Sequence, residues 1–331
     1  MSQTADLPRA ASPLGPRPIT LKNLRSKEDR IYRGTVRGAG YGALILLFLI
    51  GLFLLIHGLP AIKVRGFKFF TTSGYQTLGA HPTFGVLASL YGTVVVALVA
   101  LVVGVPVALT TALFLSEYAP PWSRRTLIAL VDLAAAIPSV IYGLWGFFEL
   151  QPNVVGISSW MSNHLGFIPI FKVLHPPYNA SLFIAGLVVG LMIVPIVASV
   201  SREVFSLAPA GEREAAMALG ASRWQMIRTV VLPFGKGGMI GAVMLGMGRA
   251  LEETIAVSII LGQAFVISPH ILGHGGSTIA SLIAINFGSG GQHGLEDLLM
   301  CGFVLFALTL VVNLIASAIV NRSRSGAGVE L

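Results

Sequence analysis

An all-α polytopic membrane protein with six transmembrane helices is the fold class predicted by three features of this sequence. Hydrophobic residues make up 54% of the 331 and charged residues only 11%, a balance too apolar for a water-soluble domain. The apolar residues fall in blocks long enough to cross a bilayer. Lys and Arg gather between alternate blocks, the asymmetry that sets orientation in membranes. On a soluble fold, the net charge of +8 would point to nucleic acid, but that needs a basic face on a water-exposed surface, and no such surface is available. No nucleic-acid partner is expected, and the surface faces membrane lipid. The single cysteine, Cys301, lies in an apolar block, which excludes a disulfide framework or a thiolate metal cluster and leaves it a packing role.

Residues 1–36 are rich in Pro, Ala, Ser and Arg without apolar periodicity, and they read as a flexible cytoplasmic tail. The permease-like membrane domain is expected over 37–321, followed by a C-terminal cytoplasmic tail at 322–331. The first apolar block, about 41–59, exceeds a signal-peptide core and lacks a small-residue cleavage pattern after it, so it reads as a retained span. Further spans are expected at about 88–115, 127–150, 179–200, 239–261 and 298–320. Pro138, in Ile137-Pro138-Ser139, breaks the third near its middle, either opening backbone groups toward a pathway or kinking a packed helix.

The loops divide by charge. Arg9 to Arg37 in the tail, Arg124 and Arg125, the set Arg202, Arg213, Arg223, Arg228 and Lys236, and Arg322 and Arg324 lie on one side; Lys63, Arg65, Lys68 and Lys172 lie on the other. Both termini and the loop 201–237 are therefore expected to face the cytoplasm. The outer loop 60–85 carries Phe67, Phe69, Phe70, Tyr75 and Phe84, and the outer loop 262–297 is rich in Gly, Ser and His. They read as membrane-edge aromatics and flexible turns, with a docking face as the second reading. His270, His274 and His293 lack metal-ligand spacing and read as solvent-side polar residues, so no metal is expected.

The loop 201–237 holds a polar helix pair. Strong helix formers run from Glu212 to a stop at Gly220, and Ser222 then caps a second helix. That helix carries Trp224, Ile227, Val230 and Val231 at helical spacing and is expected to end at Pro233. Glu214-Ala215-Ala216, Gly220 three residues on, Val230 after nine more, and Leu232-Pro233 together resemble the EAA loop of ABC importer membrane subunits. In that family the loop docks on a cytoplasmic ATPase, and Ile usually stands at the place of Val230. Tyr91-Gly-Thr93, Phe114-Leu-Ser-Glu-Tyr-Ala119, Ile137-Pro-Ser-Val-Ile-Tyr-Gly-Leu-Trp-Gly146 and Gly248-Arg-Ala-Leu-Glu-Glu-Thr-Ile-Ala-Val257 are similar to the phosphate-specific, PstC-type members.

The resemblance covers roughly residues 40–320. It implies the type I importer permease fold and a role as half of a pathway moving inorganic phosphate into the cytoplasm across a bacterial cell membrane. It also implies a PstA-type second permease, two PstB-type ATPase subunits holding ATP and Mg, and an extracytoplasmic PstS-type phosphate-binding protein. Glu214, Ala215, Ala216, Gly220, Leu232 and Pro233 would couple to the ATPase. The family pattern Arg-Ala-Leu-Gly-Glu appears here with Glu252 in the Gly place, before Glu253.

From the residues alone, Arg249 with Glu252 and Glu253 is the charged cluster within a span, where each charge costs about 2.5–3.5 kcal/mol at the bilayer centre. An internal ion pair and a pathway contact for an oxyanion both explain it, and both remain open. With Pro138 and Ser139, these three form the candidate substrate pathway. No phosphate-cradling loop, HExxH or GxSxG motif occurs, so the chain is expected to catalyse nothing and to hold no cofactor. Sulfate, molybdate or another solute is the alternative cargo, and a secondary transporter the alternative class.

Overall fold

The computed structural model describes residues 27–76, 83–173, 177–265, 267–288 and 291–324. The expectations for residues 1–26 and 325–331 lie outside the described residues. The chain forms two units, one ending at Ile50 and one from Gly51 onward. The described part of the first is the N-terminal portion of helix α1, Lys27–Arg65. Residues 27–36 are thus helical rather than an irregular tail. Helix propagates cheaply once nucleated, and the run outward from the apolar span meets Arg30, Arg33 and Arg37, which are good helix formers.

Helices Arg30–Arg65, Leu87–Tyr118, Leu182–Ser206, Arg223–Glu252 and His293–Val320 are long and apolar enough to cross a membrane. The third expected span differs. It is a pair, Pro121–Ala135 and Ser139–Leu165, bent by 89°. Pro138 therefore turns the chain rather than kinking one continuous helix, since its ring blocks continuation of α4 (Pro121–Ala135). The helices that follow are α5 (Ser139–Trp145) and α6 (Gln151–Leu165), joined by a π-helical turn, Gly146–Leu150.

The centre of the second unit is α3 (Leu87–Leu113) against α7 (Leu182–Ser206). A Cβ on Gly104 would fall 2.7 Å from the carbonyl oxygen of Gly190, so the two backbones touch at small residues as membrane helices do. Val188, Ile193, Ala256 and Ile260 are fully or almost fully buried around this contact.

At the opposite end from the polar helix pair, α2 (Lys68–Thr71) leads into an antiparallel hairpin of β1 (Ser73–Gln76) and β2 (Thr83–Val86). Phe69 and Phe84 stack at 5.6 Å and are buried with Ile279, Leu282 and Leu298. These two aromatics are core, not membrane-edge residues. Residues 262–297 likewise hold more than turns. Helix α12 (Ile279–Asn286) lies within them with one face buried, and a reciprocal cap between Thr278 and Ser281 starts it. Arg65 makes a two-pronged ion pair with Asp297, at 3.0 and 2.7 Å, joining the end of α1 to the start of α13 (Gly291–Arg324). Half-buried His270 and exposed His274 lie 2.7 and 3.0 Å from the carbonyls of Pro169 and Asn179, while exposed His293 meets Glu296 at 3.3 Å.

Candidate functional site

The polar helix pair is a capped corner. Helix α8 (Ala210–Ala218) ends where the Ala221 amide donates to the Ala216 carbonyl and the Gly220 amide to that of Met217. This is the paired closure of a helix by a left-handed residue, and Gly220 supplies it at φ 85°. Ser222 and Gln225 then cap each other at the start of α9 (Arg223–Met226). Met226, Ile227 and Val231 are buried with Phe205 and Ala112, and Ala216 and Leu232 pack at the edge of that cluster. Glu214, Ala215 and Pro233 are exposed. Trp224, placed on the buried face by the sequence pattern, is instead exposed with Met217 and Leu219. It lies in the first turn, beyond the edge of the cluster.

The second helix does not stop at Pro233. A π-helical turn, Ile227–Val231, leads directly into α10 (Leu232–Glu252), with Pro233 in its first turn. The wide turn carries a Leu232 amide bonded back to Ile227, which loosens the ladder where proline would otherwise collide with the preceding turn. The corner and Arg249 consequently belong to one helical stretch, Arg223–Glu252.

Arg249 meets Glu253 at 3.8 Å, with side-chain exposures of 49% and 3%. Glu253 stands where α10 gives way to extended backbone, ψ 122°. Its carboxylate also accepts the Ala256 amide at 3.2 Å, tying off the first turn of α11 (Ile255–Leu261). Glu252 takes the other role. It is exposed and, with Arg249, Gly248, Met244, Ile196 and Asn313, lines an open cavity of about 510 Å³ between α7, α10 and α13. Pro138 and Ser139 do not line that cavity. They stand at the start of α5, whose Gly143 packs on Ala256 and Gly146 on Ile260. Helices α5 and α11 thus run in the same direction, side by side. An apolar groove of about 640 Å³ flanks Ile137 and Ile141, between α3, α4, α5 and α7.

Two residues at the corner, Glu117 and Tyr118, are not among the site residues the sequence singled out. Glu117, in a π-helical turn at the end of α3, Phe114–Tyr118, is buried and meets Arg213 of α8 at 3.2 Å. Tyr118 beside it lies under the Arg223 guanidinium, 5.4 Å from the ring centre. Glu117 and Arg213 are 96 residues apart, so spacing could not have paired them. The hint was an acid within an otherwise apolar span end.

A polytopic helical bundle with a capped polar corner at one end of a span and a half-exposed arginine beside a buried acid at the other fits a membrane-transport subunit. The chain belongs to the family of binding-protein-dependent transport system inner membrane components, whose model matches residues 104–325. Within it, the chain is 40% identical over 306 residues to the phosphate transport system permease protein PstC 2 of Mycobacterium tuberculosis, covering 90% of this chain and 93% of that one. PstC proteins of Mycobacterium leprae and Xylella fastidiosa (strain 9a5c) are 41% and 37% identical, over 88% and 90% of this chain and 92% of each relative. A chain of a bacterial ABC transporter involved in the import of the polysaccharide alginate shares the fold, with a TM-score of 0.53 at 18% identity over 88% of this chain and 99% of that one.

Proposed function

We infer that this chain is one permease subunit of an ATP-driven importer for inorganic phosphate. It would pair with a PstA-type permease, two PstB-type ATPase subunits holding ATP and Mg, and a PstS-type binding protein on the outer side. The observation that carries this reading is the single helical stretch Arg223–Glu252, which joins the exposed corner to Arg249 without a break. Glu214, Ala215, Ala216, Gly220, Leu232 and Pro233 form the surface and frame that meet the ATPase, and exposed Leu219, Met217 and Trp224 supply apolar contact area there. Arg249 offers an oxyanion a charge-assisted contact, Glu253 balances that charge between passages, and Glu252 shares the cavity with Arg249, while Pro138 and Ser139 set the start of the neighbouring helix α5.

Purified permease pair, ATPase and binding protein in proteoliposomes test this directly. Phosphate accumulation should require ATP and the binding protein and should resist excess sulfate or molybdate. Accumulation driven by an ion gradient alone would overturn the ATP-driven class, and uptake of sulfate in preference to phosphate would overturn the cargo.

The Lys and Arg bias supports a cytoplasmic side for both termini and the corner. In a Cys301→Ser background, Ser222→Cys should react with an impermeant thiol reagent only after the cells are opened. Labelling of intact cells would reverse the orientation.

A further inference from the structure

We propose that Glu117 and Arg213 form a latch that ties α8 to the end of α3, so that displacement of the corner reaches α3 directly as well as through α7 and α10. The proposal rests on the corner being the ATPase contact. Arg213 joins three elements with one guanidinium. Its Nη1 lies 3.2 Å from Glu117 Oε1 and 3.4 Å from Oε2, while Nη2 donates to the Phe205 carbonyl in the last turn of α7. Ser116 also holds the carboxylate, its hydroxyl donating to Oε1 at 2.8 Å. The Glu117 side chain is only 5% exposed, so this contact is shielded from the solvent that weakens surface pairs.

The surroundings give the latch its importance. Helix α8 has no buried residue of its own, and Ala216 alone packs at the edge of the apolar cluster beneath it. Apolar contacts of that kind slide, whereas a charge-assisted pair of fixed geometry has a direction. The second helix of the corner repeats the arrangement through Arg223 over Tyr118. Both halves are thereby fastened to neighbouring residues of one π-helical turn. Helix α3 in turn lies backbone to backbone on α7 through Gly104 and Gly190, so a pull on Glu117 acts on the centre of the bundle.

The test uses the reconstituted complex and the ratio of binding-protein-stimulated to basal ATP hydrolysis, a quantity that a purely supporting pair would leave unchanged in complexes that assemble. Glu117→Gln and Arg213→Gln should each lower that ratio and phosphate uptake about tenfold, the scale of one charge-assisted hydrogen bond. Basal hydrolysis and subunit content should stay at the unmodified level. Because a stranded charge also disfavours folding, the pair Glu117→Met with Arg213→Met removes both charges and keeps the bulk. It should assemble and remain uncoupled. Normal stimulation in either single variant, or in the Met pair, overturns the latch. So does loss of assembly in every variant, which would make the pair scaffold. If the unmodified complex shows no stimulation, the transport reading itself has failed, and the two failures are distinguishable.

Discussion

Replacing Arg249 by Gln is expected to lower phosphate uptake about 10- to 100-fold without lowering the amount of complex in the membrane. The Arg249–Glu253 contact is long, at 3.8 Å, and the arginine is half exposed to the cavity while the acid is buried. An ion pair so placed is weakened by solvent and does not consume the guanidinium, which stays free to meet an anion in the cavity. Glu253 has a second bond, from the Ala256 amide, so removing Arg249 leaves the carboxylate partly satisfied. The loss should therefore appear in transport, about 10- to 100-fold, the scale of a charged hydrogen bond of about 1.5–3 kcal/mol. If the pair were scaffold, stranding the buried acid would lower assembly, and adding Glu253→Gln would restore both assembly and uptake. Gln at 253 can still accept the Ala256 amide, which makes the double variant a fair comparison. Radiolabelled uptake and membrane abundance for the two single variants and the double separate the cases. Uptake regained in the double variant moves Arg249 from substrate contact to scaffold.

What could be read in the chain was whatever is encoded locally. Run length marked the spans, and helix formers followed by Gly220 and by a capping Ser222 marked the corner, where the structure places a left-handed Gly220 and a capped Ser222. Proline was ambiguous in both places it mattered. Pro138 turns the chain by 89°, while Pro233 is absorbed by a π-helical turn upstream that has no residue signature of its own. The acids near Arg249 looked equivalent at spacings of three and four. Only the departure from helix at Glu253 separates a buried partner from an exposed one, Glu252, on the cavity. Glu117 with Arg213 and Arg65 with Asp297 are contacts between distant parts of the chain, and no periodicity reports them. Short α12, eight residues among Gly and Ser, has too few turns for an apolar stripe to stand out.

Gly220→Val should lower binding-protein-stimulated ATP hydrolysis and uptake together while the complex still forms. At φ 85° a β-branched side chain strains its own backbone, by about 1–3 kcal/mol. A Cβ there meets nothing within 4 Å, so the effect is conformational and not a collision with neighbours. The strain is relieved by opening the bonds from Ala221 to Ala216 and from Gly220 to Met217, which set the angle between α8 and α9. The buried cluster of Met226, Ile227, Val231 and Phe205 lies beyond the turn and should hold the span in place. Gly220→Asn provides the control, because asparagine tolerates the left-handed region. It should retain most of the uptake and of the stimulated hydrolysis, whereas the Val variant loses both together, with basal hydrolysis and subunit content intact. Equal, near-normal transport in both variants would remove the corner from the coupling path, since the angle it fixes would then carry no information to Arg249.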